Sequence, residues 1–110
     1  MDNTQLKILA VGREPAILQV VERLINGHEG WAATIVTTDE AAIAAVGKTD
    51  FRIVFVCAGV TAEEEENLRR KIQELRPGVV VTRHFGGGSG LLENEVLAIL
   101  NAQKNSNYGK

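Results

Sequence analysis

Residues suited to chemistry stand at the ends of two apolar runs: Gly12 and Arg13 follow Leu6–Val11, and Cys57 ends the run 51–57. If the runs are parallel strands, these residues lie at the carboxyl edge of a sheet, where open α/β sheets bind ligands. Arg13 and a nearby helix N-terminus would lower the pKa of the Cys57 thiol and make it nucleophilic, as for a redox switch or a cysteinyl phosphate. Against this, no His or acid is placed to act as its base, and a free Cys is often a small buried apolar residue.

A glycine-rich segment lies between the last apolar run and a final amphipathic stretch, and its residues are Gly86, Gly87, Gly88, Ser89 and Gly90. Glycine lets backbone N–H groups approach an anion closely, and the dipole of a following helix favours negative charge. Arg83 and His84 stand just before the segment and would add donors. The segment lacks the Lys-Ser/Thr pair of a P-loop and the spacing of a dinucleotide-binding motif. A flexible turn and a phosphate or nucleotide site are therefore both open interpretations.

The composition excludes several classes of function. Of the 110 residues, 45% are hydrophobic and 24% are charged, which is typical of a globular domain. A net charge of −2, without a dense run of Lys or Arg, argues against nucleic-acid binding. No apolar run approaches the roughly 20 residues of a membrane helix, and the single Cys and polar N-terminus indicate a cytoplasmic protein. No pair among Cys57, His28 and His84 has the spacing of metal ligands, so we predict no metal and no other cofactor.

The apolar pattern predicts four strands that alternate with four helices. The strands are expected at 6–11, 31–37, 51–57 and 79–82, and the helices at 15–26, 37–46, 61–75 and 91–102. Capping boxes at Thr37 with Glu40 and at Thr61 with Glu64 mark two of the helix starts. This alternation indicates an α/β protein with a parallel sheet and helices on both faces.

The segment Lys7-Ile8-Leu9-Ala10-Val11-Gly12-Arg13-Glu14-Pro15 resembles the first strand and turn of bacterial response-regulator receiver domains. Residues 51–57 resemble the third strand of that family, and residues 68–77 resemble its third helix and the approach to strand four. The likeness covers about residues 6–82. It implies a CheY-like, flavodoxin-like fold with three α/β/α layers and a parallel four-stranded sheet in the order 2-1-3-4.

The resemblance also implies which chemistry is lost. In receiver domains, acids in the first turn hold Mg²⁺, which prefers oxygen ligands, and an Asp that ends strand three accepts the phosphoryl group. Here Gly12 and Arg13 stand at the metal-binding positions, and Cys57 stands at the acceptor position. Glu14 is the acid that remains near the turn, and Thr82 matches the position of the switch hydroxyl. We therefore expect a degenerate pseudo-receiver that cannot be phosphorylated by the usual Asp/Mg mechanism.

The carboxyl-terminal part is shorter than that of a receiver domain, because one helix–strand unit is missing after Pro77. The strand at 79–82 would then be an unprotected sheet edge, which invites pairing with another strand. We expect one receiver-like domain over residues 1–110, with an ordered core at about 6–102 and a polar tail at 103–110.

Two functions are compatible with these features. The leading one is a non-catalytic signalling or protein-interaction module that binds a protein partner or forms a homodimer, through the edge 79–82 or the C-terminal helix. The alternative is a small-anion or nucleotide-binding protein, and in one version an enzyme, that uses the segment 86–90 with Arg13 and Cys57.

Overall fold

The computed structural model describes residues 5–83 and 94–101 of the chain. In these residues the strands are β1 (Leu6–Val11), β2 (Trp31–Val36), β3 (Ile53–Val56) and β4 (Val80–Arg83). The helices are α1 (Pro15–Asn26), α2 (Asp39–Lys48), α3 (Ala62–Leu75) and α4 (residues 94–101). The glycine-rich segment 86–90 and the predicted tail 103–110 lie outside the described residues.

The four strands pair in parallel in the order β2-β1-β3-β4, which confirms the predicted fold class and strand order. Leu9 of β1 pairs with Thr34 of β2 on one side and with Val54 of β3 on the other. Val54 in turn is in register with Val81 of β4. Because the strands are parallel, their carboxyl ends meet at one edge, where the connections to α1, α2 and α3 begin.

An aliphatic core lies on each face of the sheet. Under α2 and α3 it includes the buried side chains of Leu9, Val54, Leu68 and Ile72. On the other face, which α1 and α4 cover, it includes Ile8, Leu18, Phe55 and Val96. The central strands β1 and β3 are therefore buried on both faces, which is why they read as continuous apolar runs.

The helix starts follow local sequence signals. α1 begins with Pro15, whose missing N–H costs nothing in a first turn. The predicted capping box of α3 is confirmed, because the Thr61 hydroxyl accepts from the Glu64 N–H and the Glu64 carboxylate accepts from the Thr61 N–H, each at 3.1 Å. None of the helices in the described part of the chain is long and apolar enough to cross a bilayer.

The predicted start and end of α2 were wrong. The N-cap is Thr38 rather than Thr37, and the Thr38 hydroxyl accepts from the Ala41 N–H at 3.1 Å. The Thr37 carbonyl instead accepts a hydrogen bond from Arg13. The helix also continues through Gly47, where it was expected to end, because an isolated glycine weakens a helix without breaking it.

Three strands also have bounds that differ from the prediction, and β2 ends at Val36 rather than at residue 37. β3 was expected at 51–57 but pairs over Ile53–Val56, since the Phe51 N–H turns back to the Thr49 carbonyl. β4 begins one residue later than expected, because the Val79 N–H bonds to the Arg76 carbonyl in the preceding turn. The helix predicted at 91–102 is present over 94–101, and the rest of that range is not described.

β4 is the outer strand of the described sheet, as predicted, but one backbone group on its free side is bonded to a side chain. The Val80 N–H points to β3, where it donates to the Arg52 carbonyl. Backbone groups alternate in direction along a strand, so those of Val81 point away from the sheet. The Val81 carbonyl accepts a hydrogen bond of 2.6 Å from the guanidinium of Arg69 on α3.

Candidate functional site

The side chain of Arg13 crosses the carboxyl edge of the sheet. Its Nη1 donates to the Thr37 carbonyl at 3.0 Å, and its Nη2 donates to Asp39 Oδ1 at 2.8 Å and to Glu64 Oε1 at 3.3 Å. The acceptors belong to the connection after β2, to the first turn of α2 and to the first turn of α3. One guanidinium thus joins three elements, and we call Arg13 with Thr37, Asp39 and Glu64 the arginine clamp.

The aliphatic stem of Arg13 packs over the connection that follows β3. Its N–H donates to the Ala58 carbonyl at 3.0 Å. At Gly59, where φ is +93°, an added Cβ would lie 2.6 Å from the Cβ of Arg13. Glycine is therefore required at position 59 both by the backbone conformation and by the approach of the arginine.

The electrostatics of the clamp favour the charged forms of Arg13 and Glu64. The hydrogen bond to Asp39 is the main cause that raises the pKa of Arg13 above its ordinary value, and Glu64 adds to it. The pKa of Glu64 is lowered, first by the hydrogen bond from the Thr61 N–H and then by the positive charge of Arg13. Glu64 therefore serves two purposes, as the cap of α3 and as an acceptor in the clamp.

Cys57 lies at the end of β3 but is turned into the core. Its side chain packs with Phe55 and Leu18 on the face that α1 covers, and only 1% of the residue is exposed. Burial raises the pKa of the thiol to about 11, against an opposing effect of Arg83. The expectation that Arg13 lowers this pKa was wrong, because the Arg13 guanidinium is turned toward Asp39 and Glu64. The thiol is neutral and inaccessible rather than nucleophilic.

Among the other predicted site residues that the structure describes, Gly12 packs against Cys57, whereas Arg83 is bonded to other partners. The Arg83 guanidinium donates to Glu65 Oε1 at 2.8 Å and to the Val60 carbonyl at 2.7 Å. Thr82 is half-buried in β4 beside Phe55. Gly12 is buried next to Cys57. The other predicted anion-binding residues, Gly86, Gly87, Gly88 and Ser89, lie outside the described residues.

An open cleft of about 490 Å³ lies at the clamp, lined by Arg13, residues 37–40, Ile43 and Lys71. Its charges are mixed, since Arg13 and Lys71 are balanced by Asp39 and Glu40. Cys57 takes no part in its lining. Over residues 5–83 and 94–101, no three His, Cys, Asp or Glu side chains are grouped as metal ligands would be.

Sequence reasoning missed the partners of Arg13. Asp39 was not singled out, and Glu64 was identified only as a capping residue. The available signal was positional, because both acids stand in the first turn of helices that start at the same edge of the sheet. Acids are common at such positions because they interact favourably with the helix dipole. Their presence there therefore gave no indication that they also accept hydrogen bonds from the Arg13 guanidinium.

Comparisons with known proteins support the fold. No protein-family model matches the sequence, and no curated protein matches it. Among solved structures, a response regulator receiver domain protein (CheY-like) from Methanospirillum hungatei JF-1 is similar with a TM-score of 0.77. The two chains share 18% sequence identity, and the match covers 93% of this chain and 98% of the other. The protein therefore has a receiver-like fold, as the resemblance in its sequence predicted.

Proposed function

We propose that this protein is a receiver-like signalling module that acts by binding a protein partner and is not phosphorylated by the usual Asp/Mg mechanism. The fold belongs to a class that works in signalling, and the positions expected to carry out its chemistry hold Gly12, Arg13 and Cys57. A neutral, buried thiol does not replace a carboxylate nucleophile. We also propose a cytoplasmic location, because an unpaired cysteine is typical of proteins in a reducing compartment.

The observation that carries this proposal is the arginine clamp. In a metal-dependent site a divalent cation would bridge carboxylates at the carboxyl edge of the sheet. Here the guanidinium of Arg13 bridges Asp39 and Glu64 at that edge. The positive charge between these carboxylates thus belongs to the Arg13 side chain, which would repel a metal cation beside it.

Incubation with acetyl phosphate and Mg²⁺, followed by intact-mass and peptide mass spectrometry, tests the proposal. We expect no phosphorylated species, whereas a receiver domain with its acids intact, treated in parallel, is modified. A stoichiometric phosphoryl adduct on any acidic residue would show that the chain retains phosphotransfer chemistry.

Self-association through the C-terminal helix stays a prediction, which sedimentation equilibrium over a wide concentration range tests. The alternative function, binding of a small anion or nucleotide, has less support. Two of the residues that were expected to support the segment 86–90 are not available to a ligand, since Arg13 is paired with Asp39 and Glu64 and Cys57 is buried.

A further inference from the structure

The two outer edges of the sheet, on β2 and on β4, differ in the charge of the side chain that is hydrogen-bonded to an outward backbone group. On β2, the outward N–H of Ala33 donates to the neutral side chain of Asn26 at 2.9 Å. On β4, the outward carbonyl of Val81 accepts from the charged guanidinium of Arg69 at 2.6 Å. Within residues 5–83 and 94–101, no further strand pairs with the outer side of β4.

Arg69 is held at this edge by one carboxylate that it shares with a second arginine. Glu65 accepts from Arg69 through Oε2 at 2.6 Å and from Arg83 through Oε1 at 2.8 Å. The side chains of Arg69 and Arg83 are 36% and 24% exposed, whereas that of Glu65 is 16% exposed. Two arginines therefore share one less exposed carboxylate, which leaves one positive charge in excess within this group of three side chains.

The charges of Arg69 and Arg83 favour some strands over others as partners of β4. In an antiparallel pair of two copies about a two-fold axis, the arginine edge of one copy would face the arginine edge of the other. Like charges that are placed opposite each other destabilise a strand pair. An acidic strand would instead bring carboxylates to the exposed arginines, and charge-assisted hydrogen bonds to Arg are among the stronger polar contacts.

We propose that the outer edge of β4 is a docking site for an extended acidic segment of another protein, which adds to the sheet as a fifth strand. The segment donates an N–H to the Val81 carbonyl and accepts from the Val81 N–H. Arg69 leaves the Val81 carbonyl and pairs with a carboxylate of the segment, so no backbone group is left unpaired. Glu65 retains Arg83, and Arg83 keeps the end of β4 fixed to the Val60 carbonyl.

This inference rests on the proposed role as a partner-binding module, but the two fail separately. A phosphorylated product in the acetyl phosphate assay would overturn the proposed function and says nothing about the β4 edge. Peptide binding is measured without any phosphoryl donor, so its failure would overturn the docking site alone. The probe is a six-residue peptide of alternating Glu and Val, with a Lys and Val peptide of the same length as its control.

The experiment is a titration of the ¹⁵N-labelled chain with each peptide, followed by NMR. We expect saturable shifts for the Glu peptide, centred on the amides of Val81 and Arg83, and none for the Lys peptide. Arg69→Ala should weaken binding about tenfold, which corresponds to roughly 1.4 kcal/mol.

Arg70→Ala is the matched control, since Arg70 is adjacent in sequence but bonds to Asn67 on the exposed side of α3. Its affinity for the Glu peptide should equal that of the wild type. The spectra also report whether each variant is folded. Absence of binding, shifts centred away from β4, equal binding of both peptides, or pairing of the β4 edge with a second copy would each overturn the proposal.

Discussion

A Cβ atom at position 12 would lie 3.0 Å from the Cβ of Cys57. It would also lie 3.2 Å from the Ala58 carbonyl oxygen. Gly12 and Cys57 therefore pack directly against each other, although they are 45 residues apart in the sequence (57 − 12 = 45). The two departures from the receiver pattern are thus in direct contact, and a side chain at position 12 would require Cys57 or Ala58 to shift by a few tenths of an ångström.

We predict that Gly12→Ala destabilises the protein by about 1–3 kcal/mol, because overpacking a closely packed site forces neighbours to move. Gly12→Asp should cost more, since it adds a charge at a buried position. Urea unfolding measures both effects. The matched control is Gly47→Ala, where no atom lies within 4 Å of the added Cβ. This helical position should gain about 0.5–1 kcal/mol, and equal effects at the two glycines would contradict the packing argument.

The ion pair between Arg13 and Asp39 should show a measurable coupling. A double-mutant cycle with Arg13→Ala and Asp39→Asn should give a coupling energy of about 0.5–1 kcal/mol, reduced by high salt. The modest size follows from exposure, since the two side chains are 28% and 36% exposed. Arg13→Ala alone should cost more than this coupling, because the stem also packs on Gly59. A coupling energy of zero at low salt would show that the clamp is not formed in solution.

The stability of the fold should depend on pH through Glu64. The folded-state pKa of Glu64 is below its ordinary value of 4.5, because the ionised form accepts the Thr61 N–H and faces Arg13. Its ionised form therefore stabilises the fold above that ordinary value, and the contribution is lost as pH falls through the folded pKa. The difference in unfolding free energy between wild type and Glu64→Gln should be largest near neutral pH and should narrow in acid. A difference that stays constant from neutral to acid pH would contradict this role of Glu64.

The Cys57 thiol should be unreactive in the folded protein. The rise of its pKa from 9.0 to about 11 lowers the thiolate fraction near neutral pH by about 100-fold, and burial blocks access as well. Ellman's reagent should label the thiol slowly in the native protein and rapidly in urea. Because only the unfolded state ionises readily, stability should also fall as pH rises above about 9. Native labelling at the rate of a free thiol would contradict the buried position.

The fold was predictable because local signals agreed with the global pattern. The runs at 6–11 and 51–57, the proline at position 15 and the capping box at Thr61 each specify one element, and their alternation specifies the layers. The errors in the strand bounds were of one residue at the end of β2, at both ends of β4 and at the end of β3, and of two residues at the start of β3; the cap of α2 was misplaced by one residue. At such strand ends a single hydrogen bond, such as that from the Val79 N–H to the Arg76 carbonyl, decides where pairing begins.

The site was less predictable because it depends on the directions of side chains. Arg13 and Cys57 follow the adjacent strands β1 and β3, yet the side chain of Arg13 turns to the cleft and that of Cys57 to the core. The hydrogen bond to the Val81 carbonyl comes from Arg69 on the surface of α3. The apolar pattern of that helix predicts which side faces the core, but it does not predict which atoms a long surface side chain contacts. Long-range contacts of this kind have no signature in a single sequence.

The guanidinium of Arg13 pairs with Asp39 and Glu64 at the sheet edge, and we expect the residues around it to bind no divalent cation. Titration of the ¹⁵N-labelled protein with Mn²⁺ tests this directly, because a paramagnetic ion broadens the amide signals of nearby residues. We predict no selective broadening at Gly12, Arg13 and Cys57, whereas a receiver domain with its acids intact broadens at the corresponding strand ends. Saturable broadening centred on these three amides would contradict the account.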